Sequence, residues 1–189
     1  TETKTPLWIV LIGHGTFGGG VAKFNFRGAD VSAAEMKVLL AGSQRPVVFI
    51  NSASCSGPFV DRLSDTNRVI VSATKSGNEQ DYARFGGFLI SALSSPDSDL
   101  DHDREVSILE AFVSASKQVE QAYKTDDRLA TEHALIDDNG DKRGTPAKMF
   151  RGVRATGQSA DNALLDGFLA ARTTLLRFSD EETWNETQL

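Results

Sequence analysis

Cysteine is nearly absent: Cys55 is the only one in 189 residues. No internal disulfide can form, so cysteine usage says nothing about the redox compartment. A lone cysteine is either a small buried hydrophobe or, if a histidine can reach it, a nucleophile. Long apolar runs are missing too, and none approaches the ~20 residues that cross a bilayer. Basic residues do not cluster, and the net charge of −6 excludes the electrostatic footprint of a nucleic-acid binder. The first residues, TETKTPLWIVLIG, lack the pattern of a signal peptide. A signal could have been removed upstream, so the compartment stays open.

What remains is a chain of single-domain size, 40% hydrophobic, with enough apolar side chains for a sizeable core. Leu7–Ile12 reads as a buried strand, as do Pro46–Ile50 and Arg68–Ser72. VAKFNF after Gly20 alternates and predicts a hairpin or extended flap. Ser32 and Glu35 form a capping box for a helix with a Met36, Leu39, Leu40 stripe ending at Gly42. Apolar periodicity predicts further helices over 82–93, 106–123 and 162–178, followed by a solvated tail. Strands alternating with helices point to an α/β fold on a parallel sheet.

Gly13, Gly15 and Gly18 match the spacing G-x-G-x-x-G. A dinucleotide site needs those glycines to open a helix, whose N-terminus holds the pyrophosphate. Here an alternating segment follows and no helix is expected before about residue 31, so the nucleotide reading fails. A different chemistry fits better. The first strand ends in Gly13-His14-Gly15 and the second in Asn51-Ser-Ala-Ser-Cys55-Ser-Gly57. One helix lies between them, so both strand ends fall at the same sheet edge, where open α/β sheets place their sites. An imidazole beside a thiol can generate the reactive thiolate.

WIVLIGHG, PVVFINSASCSG and the following VIVSATKSGNEQDYARFGGFLISAL resemble the caspase, legumain and gingipain class of cysteine peptidases. The resemblance covers about residues 7–95, and it rests on the order and spacing of the pair of motifs. It implies a caspase-like parallel sheet with helices on both faces. It also implies endopeptidase activity through an acyl-enzyme, with Cys55 as nucleophile, His14 as proton carrier and the amides of Gly15 and Cys55 as oxyanion hole. Thr74, Glu79 and Asp81 would line the substrate pocket. No cofactor is required for the chemistry. The class has strands before its His-Gly strand, and only six residues precede Leu7 here. The expectation is therefore an excised piece with an exposed sheet edge, covered by an N-terminal companion fragment or a second copy. In this layout residues 7–95 form the catalytic core of one domain spanning 1–189. Residues 96–148 add an acidic loop and helix, and 149–189 a last helix and tail.

Asp99, Asp101, Asp103 and Glu110 occupy the first, third, fifth and twelfth places of an EF-hand calcium loop, with Glu105 at the seventh. The sixth place should be glycine for the sharp turn and is Arg104. A second acidic run, Asp137-Asp-Asn-Gly-Asp141, has Lys148 at its twelfth place and reads equally as a pair of turns. His133 reads as a structural or surface residue rather than a ligand, and His102 as solvent-facing. Two other functions stand beside the peptidase. One is a non-catalytic member of the same fold, acting as an assembly or calcium-responsive binding module. The other is a serine esterase using Ser54 or Ser56, which lacks the first glycine of G-x-S-x-G and has its histidine in the wrong order.

Overall fold

A computed structural model describes residues 5–156 and 165–177. Strands β1 (Leu7–Leu11), β5 (Val47–Asn51) and β6 (Arg68–Ser72) pair in parallel, as their continuous apolar runs require. Between β1 and β5 lie a hairpin, β2 (Gly15–Gly18) with β3 (Val21–Phe24), the short β4 (Val31–Ser32), and helix α1 (Ala33–Leu40). Helix α2 (Gly57–Leu63) joins β5 to β6, and α3 (Phe85–Leu93) follows β6. After these come β7 (Glu105–Ser107) and the long α4 (Ile108–Thr125). The order closes with β8 (Leu135–Asp137), β9 (Thr145–Pro146), β10 (Phe150–Arg151), β11 (Arg154–Ala155) and β12 (Thr174–Arg177). The main sheet runs β1-β5-β6-β8-β9, with β8 and β9 antiparallel to their neighbours. The sheet is thus mixed, not wholly parallel. The two strands that make it so are too short to show a period in the sequence.

The two-residue alternation of the strands divides the core. Val47 and Phe49 pack with Met36, Leu40, Phe59 and Leu63 on the α1–α2 side. Val48 and Ile50 pack with Phe85, Leu89, Ile108 and Phe112 on the α3–α4 side. Helices therefore cover both faces of a mixed α/β sheet. The capping box at α1 forms as expected, with Ser32 Oγ accepting from the Glu35 amide and Glu35 accepting from the Ser32 amide. Leu39 departs from the expected stripe: it faces solvent while Met36 and Leu40 are buried.

Helices expected at 82–93 and 106–123 are found as α3 and α4, each beginning two or three residues later. The α2 segment follows the second strand with a proline in its first turn, and periodicity alone does not show it. The helix expected over 162–178 is a correction. Gly167 takes φ +108°, Ala170–Arg172 form one 3-10 turn, and Thr174–Arg177 are strand β12, paired with β7. Residues 162–164 of that expectation, residue 178 and the tail lie outside the described residues. Among the described residues strand β1 is an edge strand hydrogen-bonded only to β5. Its Val10 and the following Ile12 are exposed beside an apolar groove of about 170 Å³ walled by Trp8, Leu89, Ile90 and Leu175. Among the described residues no helix is long and apolar enough to cross a membrane.

Candidate active site

The parallel register fixes where His14 and Cys55 emerge. Leu11 of β1 stands opposite Asn51 of β5, so both chains leave the sheet at the same level. The Ser52 amide and hydroxyl both donate to the Leu11 carbonyl, extending the pairing past the last ladder residue. The two turns then meet main chain to main chain. A Cβ built on Gly15 would lie 2.1 Å from the Ser54 carbonyl oxygen, so only glycine fits. The Ser54 hydroxyl clamps the contact, accepting from the Gly15 amide at 3.3 Å and donating to the Gly15 carbonyl at 3.2 Å. His14 and Cys55 are the residues next to this contact, one on each strand end.

Their surroundings differ. His14 is exposed, and its ring lies 6.3 Å from that of Tyr82, which is 71% exposed. Cys55 is only 1% exposed, yet it belongs to neither apolar core cluster. Its φ of +58° puts a non-glycine residue in the left-handed region, in the turn between β5 and α2. Such strain costs roughly 1–2 kcal/mol and collects at functional turns. Burial pushes the thiol pKa above the ordinary cysteine value, opposed by the neighbouring Ser54 hydroxyl. Burial thus favours the neutral thiol over the thiolate, and among the described residues no hydrogen bond joins the sulfur to His14.

Neither amide expected in the oxyanion hole is free. That of Gly15 points at Ser54 Oγ, and that of Cys55 donates to the Glu79 carbonyl at 2.9 Å. Thr74, expected in the substrate pocket, lies inside the fold. It is fully buried, accepting from the Gly57 amide and donating to the Ser76 carbonyl. The Glu79 carboxylate turns away from open solvent to Lys75 and His133, whereas Asp81 is exposed on the loop before α3. The sequence gives no warning of the Glu79–His133 pairing, which joins residues 54 positions apart, nor of Tyr82 beside His14. Hydroxyls did carry a signal: small Ser and Thr residues crowd both strand ends. Ser56 Oγ accepts from the amides of Ala73 and Thr74, locking the two ends together. Ser54 and Ser56 are buried: the Ser54 hydroxyl donates to the Gly15 carbonyl, and Ser56 Oγ shares a hydrogen bond with Thr74 Oγ1.

The acidic loop is half of what its spacing suggested. Carboxylate oxygens of Asp99, Asp101 and Asp103 lie within 4.8 Å of one another and could hold a metal. Arg104 adopts φ +71°, the conformation glycine supplies at that place in an EF-hand. Glu110 is a correction: it is buried and turned into the cap of α4. One oxygen accepts from Leu100 and Asp101 amides, the other from the Ser107 amide and hydroxyl. Glu105 is not among the clustered carboxylates.

The second acidic run is a turn tied into the core. Asp138 accepts from the amides of Gly167 and Ala170, and Asp166 from those of Asp138 and Asn139. Asp137 takes the Ser64 hydroxyl. Burial raises Asp137 to about 6 and pushes Asp166 and Glu132 upward as well. The folded chain therefore holds protons that the unfolded chain releases at lower pH. This contribution to stability is full below the ordinary carboxylate range and is lost as pH rises through about 6. Thermal unfolding should show a higher midpoint at about pH 5, below the shifted values of Asp137 and Asp166, than at about pH 7.5, above them, and Asp166→Asn should flatten that dependence. A midpoint that rises with pH across this window contradicts the assignment.

Comparison with protein-family models, with curated proteins and with solved structures finds no match to this chain.

Proposed function

We propose that the chain is a cysteine endopeptidase of caspase-like fold, working through Cys55 and His14. The observation that carries this reading is the main-chain contact of Gly15 with Ser54. It holds a His-Gly turn against a Ser-Cys turn at the carboxyl ends of two adjacent parallel strands. In the reaction the Cys55 thiol gives its proton to the His14 imidazole as Sγ bonds to the scissile carbonyl carbon. The carbonyl electron pair moves to oxygen, where the amides of Gly15 and Cys55 stabilise it once they are free. As the tetrahedral adduct collapses the C–N bond breaks and the imidazolium protonates the leaving amine. Water then hydrolyses the thioester, and the thiol is restored. Incubation with a mixed peptide library tests this: the wild-type chain releases new amino termini and Cys55→Ala releases none. Equal cleavage by both would end the proposal.

The occupied Cys55 amide and the buried sulfur favour a second reading, a non-catalytic binding module of the same fold. Absence of any cleavage together with stable capture of a peptide would select it. The exposed apolar edge at β1 suits a companion fragment or a second copy of the chain, paired strand to strand.

Calcium is the metal the Asp99 loop suits, since Asp99, Asp101 and Asp103 offer hard oxygen ligands. With Glu110 in the helix cap, the bidentate ligand of a complete EF-hand is missing. Binding should therefore be weak, in the ~10⁻⁴–10⁻³ M class of calcium sites. Calorimetric titration should show it in the wild-type chain and not in Asp101→Asn/Asp103→Asn; the same heat from both chains would rule the site out.

A further inference from the structure

We infer that the loop after β6 is an internal plug over the nucleophile, held shut by a Glu79–His133 latch; this rests on the reading of Cys55 as nucleophile. The Cys55 N–H is one of the two donors an oxyanion would need, and the chain's own Glu79 carbonyl already sits on it at 2.9 Å. That carbonyl holds the place a scissile carbonyl oxygen must take. Cys55 is 1% exposed with this bond in place, and on this inference an extended peptide reaches the sulfur only once the loop moves.

The loop is seated at three points. At its start, a Cβ on Gly57 would lie 2.4 Å from the Lys75 and Ser76 main chain, so α2 and the loop touch without a side chain between them. In its middle, a Cβ on Gly77 would lie 2.3 Å from the Phe17 ring of the β2–β3 hairpin. At its end the Glu79 carboxylate closes the latch. One oxygen takes His133 Nδ1 at 2.5 Å and lies 3.5 Å from Lys75 Nζ. The other accepts from the Lys75 amide at 2.9 Å and the His133 amide at 3.2 Å. The first two are packing contacts, one against main chain and one against an aromatic ring. The third is a polar contact at the surface, with the His133 side chain 45% exposed. It is the contact that can open without disturbing the core. Carbonyl, carboxylate and sulfur cover are thus one device: releasing the Glu79 side chain frees its carbonyl from the Cys55 amide and uncovers the thiol. An extended peptide that supplies its own carbonyl to the Cys55 amide competes with the plug for the same donor.

Alkylation of Cys55 by iodoacetamide, read by intact mass, tests the latch without requiring peptidase activity. Glu79→Gln and His133→Gln should each label about tenfold faster or more than wild type, the ratio expected when a hydrogen bond to a carboxylate is lost from a closed state. His133→Gln changes an exposed side chain and serves where Glu79→Gln disturbs folding. A cooperative thermal transition is required of each variant. In the wild type, labelling below the unfolding transition should depend little on urea, as local opening does. Labelling at the wild-type rate in both folded variants, or labelling that follows the urea dependence of global unfolding, overturns the latch. Faster labelling with no cleavage of any peptide leaves the latch standing and defeats the peptidase.

Discussion

Cys55→Ala and His14→Ala should each lower peptide cleavage about 10³-fold or more, and the double variant should be no worse than either alone. The equality is the informative part. A thiol and an imidazole that exchange one proton act as a unit, so removing the second member costs nothing once the first is gone. Two residues that merely support a fold lose stability independently, and their effects add. His14 is exposed, so its replacement should leave the thermal midpoint near that of the wild type while activity collapses. Cys55 lies outside both apolar clusters, and alanine there creates no large cavity in the core. Initial rates on one well-cleaved library peptide, with unfolding curves for all three variants, decide the matter. Losses that multiply in the double variant would mean that His14 and Cys55 do not share a step.

The second large effect is structural. Gly15→Ala places a methyl group 2.1 Å from the Ser54 carbonyl oxygen, a contact between two pieces of backbone with no flexible side chain to yield. The strand ends must part, breaking both Ser54 hydroxyl contacts. A loss of about 3 kcal/mol in urea unfolding is expected, the size of an overpacked core position. Cleavage should fall further than the stability loss explains, because the same shift separates His14 from Cys55. Gly18→Ala is the control. It lies in the same hairpin with nothing within 4 Å of the added carbon, and it should leave both properties unchanged. If Gly15→Ala behaves like Gly18→Ala, the two turns do not touch and the site loses its foundation.

The strongest elements were legible because their physics is local or strictly periodic. The three parallel strands announce themselves as short β-branched runs, and the Ser32–Glu35 capping box closes as expected. The meeting of His14-Gly15 with Ser54-Cys55 follows from one crossover and parallel pairing. What failed to show depends on long-range partners. Strand β12 reads as a helix because Leu165, Phe168, Leu169, Arg172, Leu175 and Leu176 fit a helical stripe; pairing with β7 overrides it. Glu110 satisfies two patterns at once, the twelfth place of a calcium loop and the third residue of a capping box. The capping box takes one carboxylate oxygen and the loop amides of Leu100 and Asp101 take the other, so both oxygens are engaged within the chain. Glu79 looked like a pocket carboxylate because its partner, His133, is 54 residues away.

The most direct test of the Cys55–His14 dyad is to trap the acyl-enzyme. Wild-type chain incubated with a mixed library of peptide esters, quenched in acid and mapped by mass spectrometry should carry an acyl group on Cys55, and His14→Ala should carry none. An acyl group on another residue, or on Cys55 at the same level without His14, would contradict it.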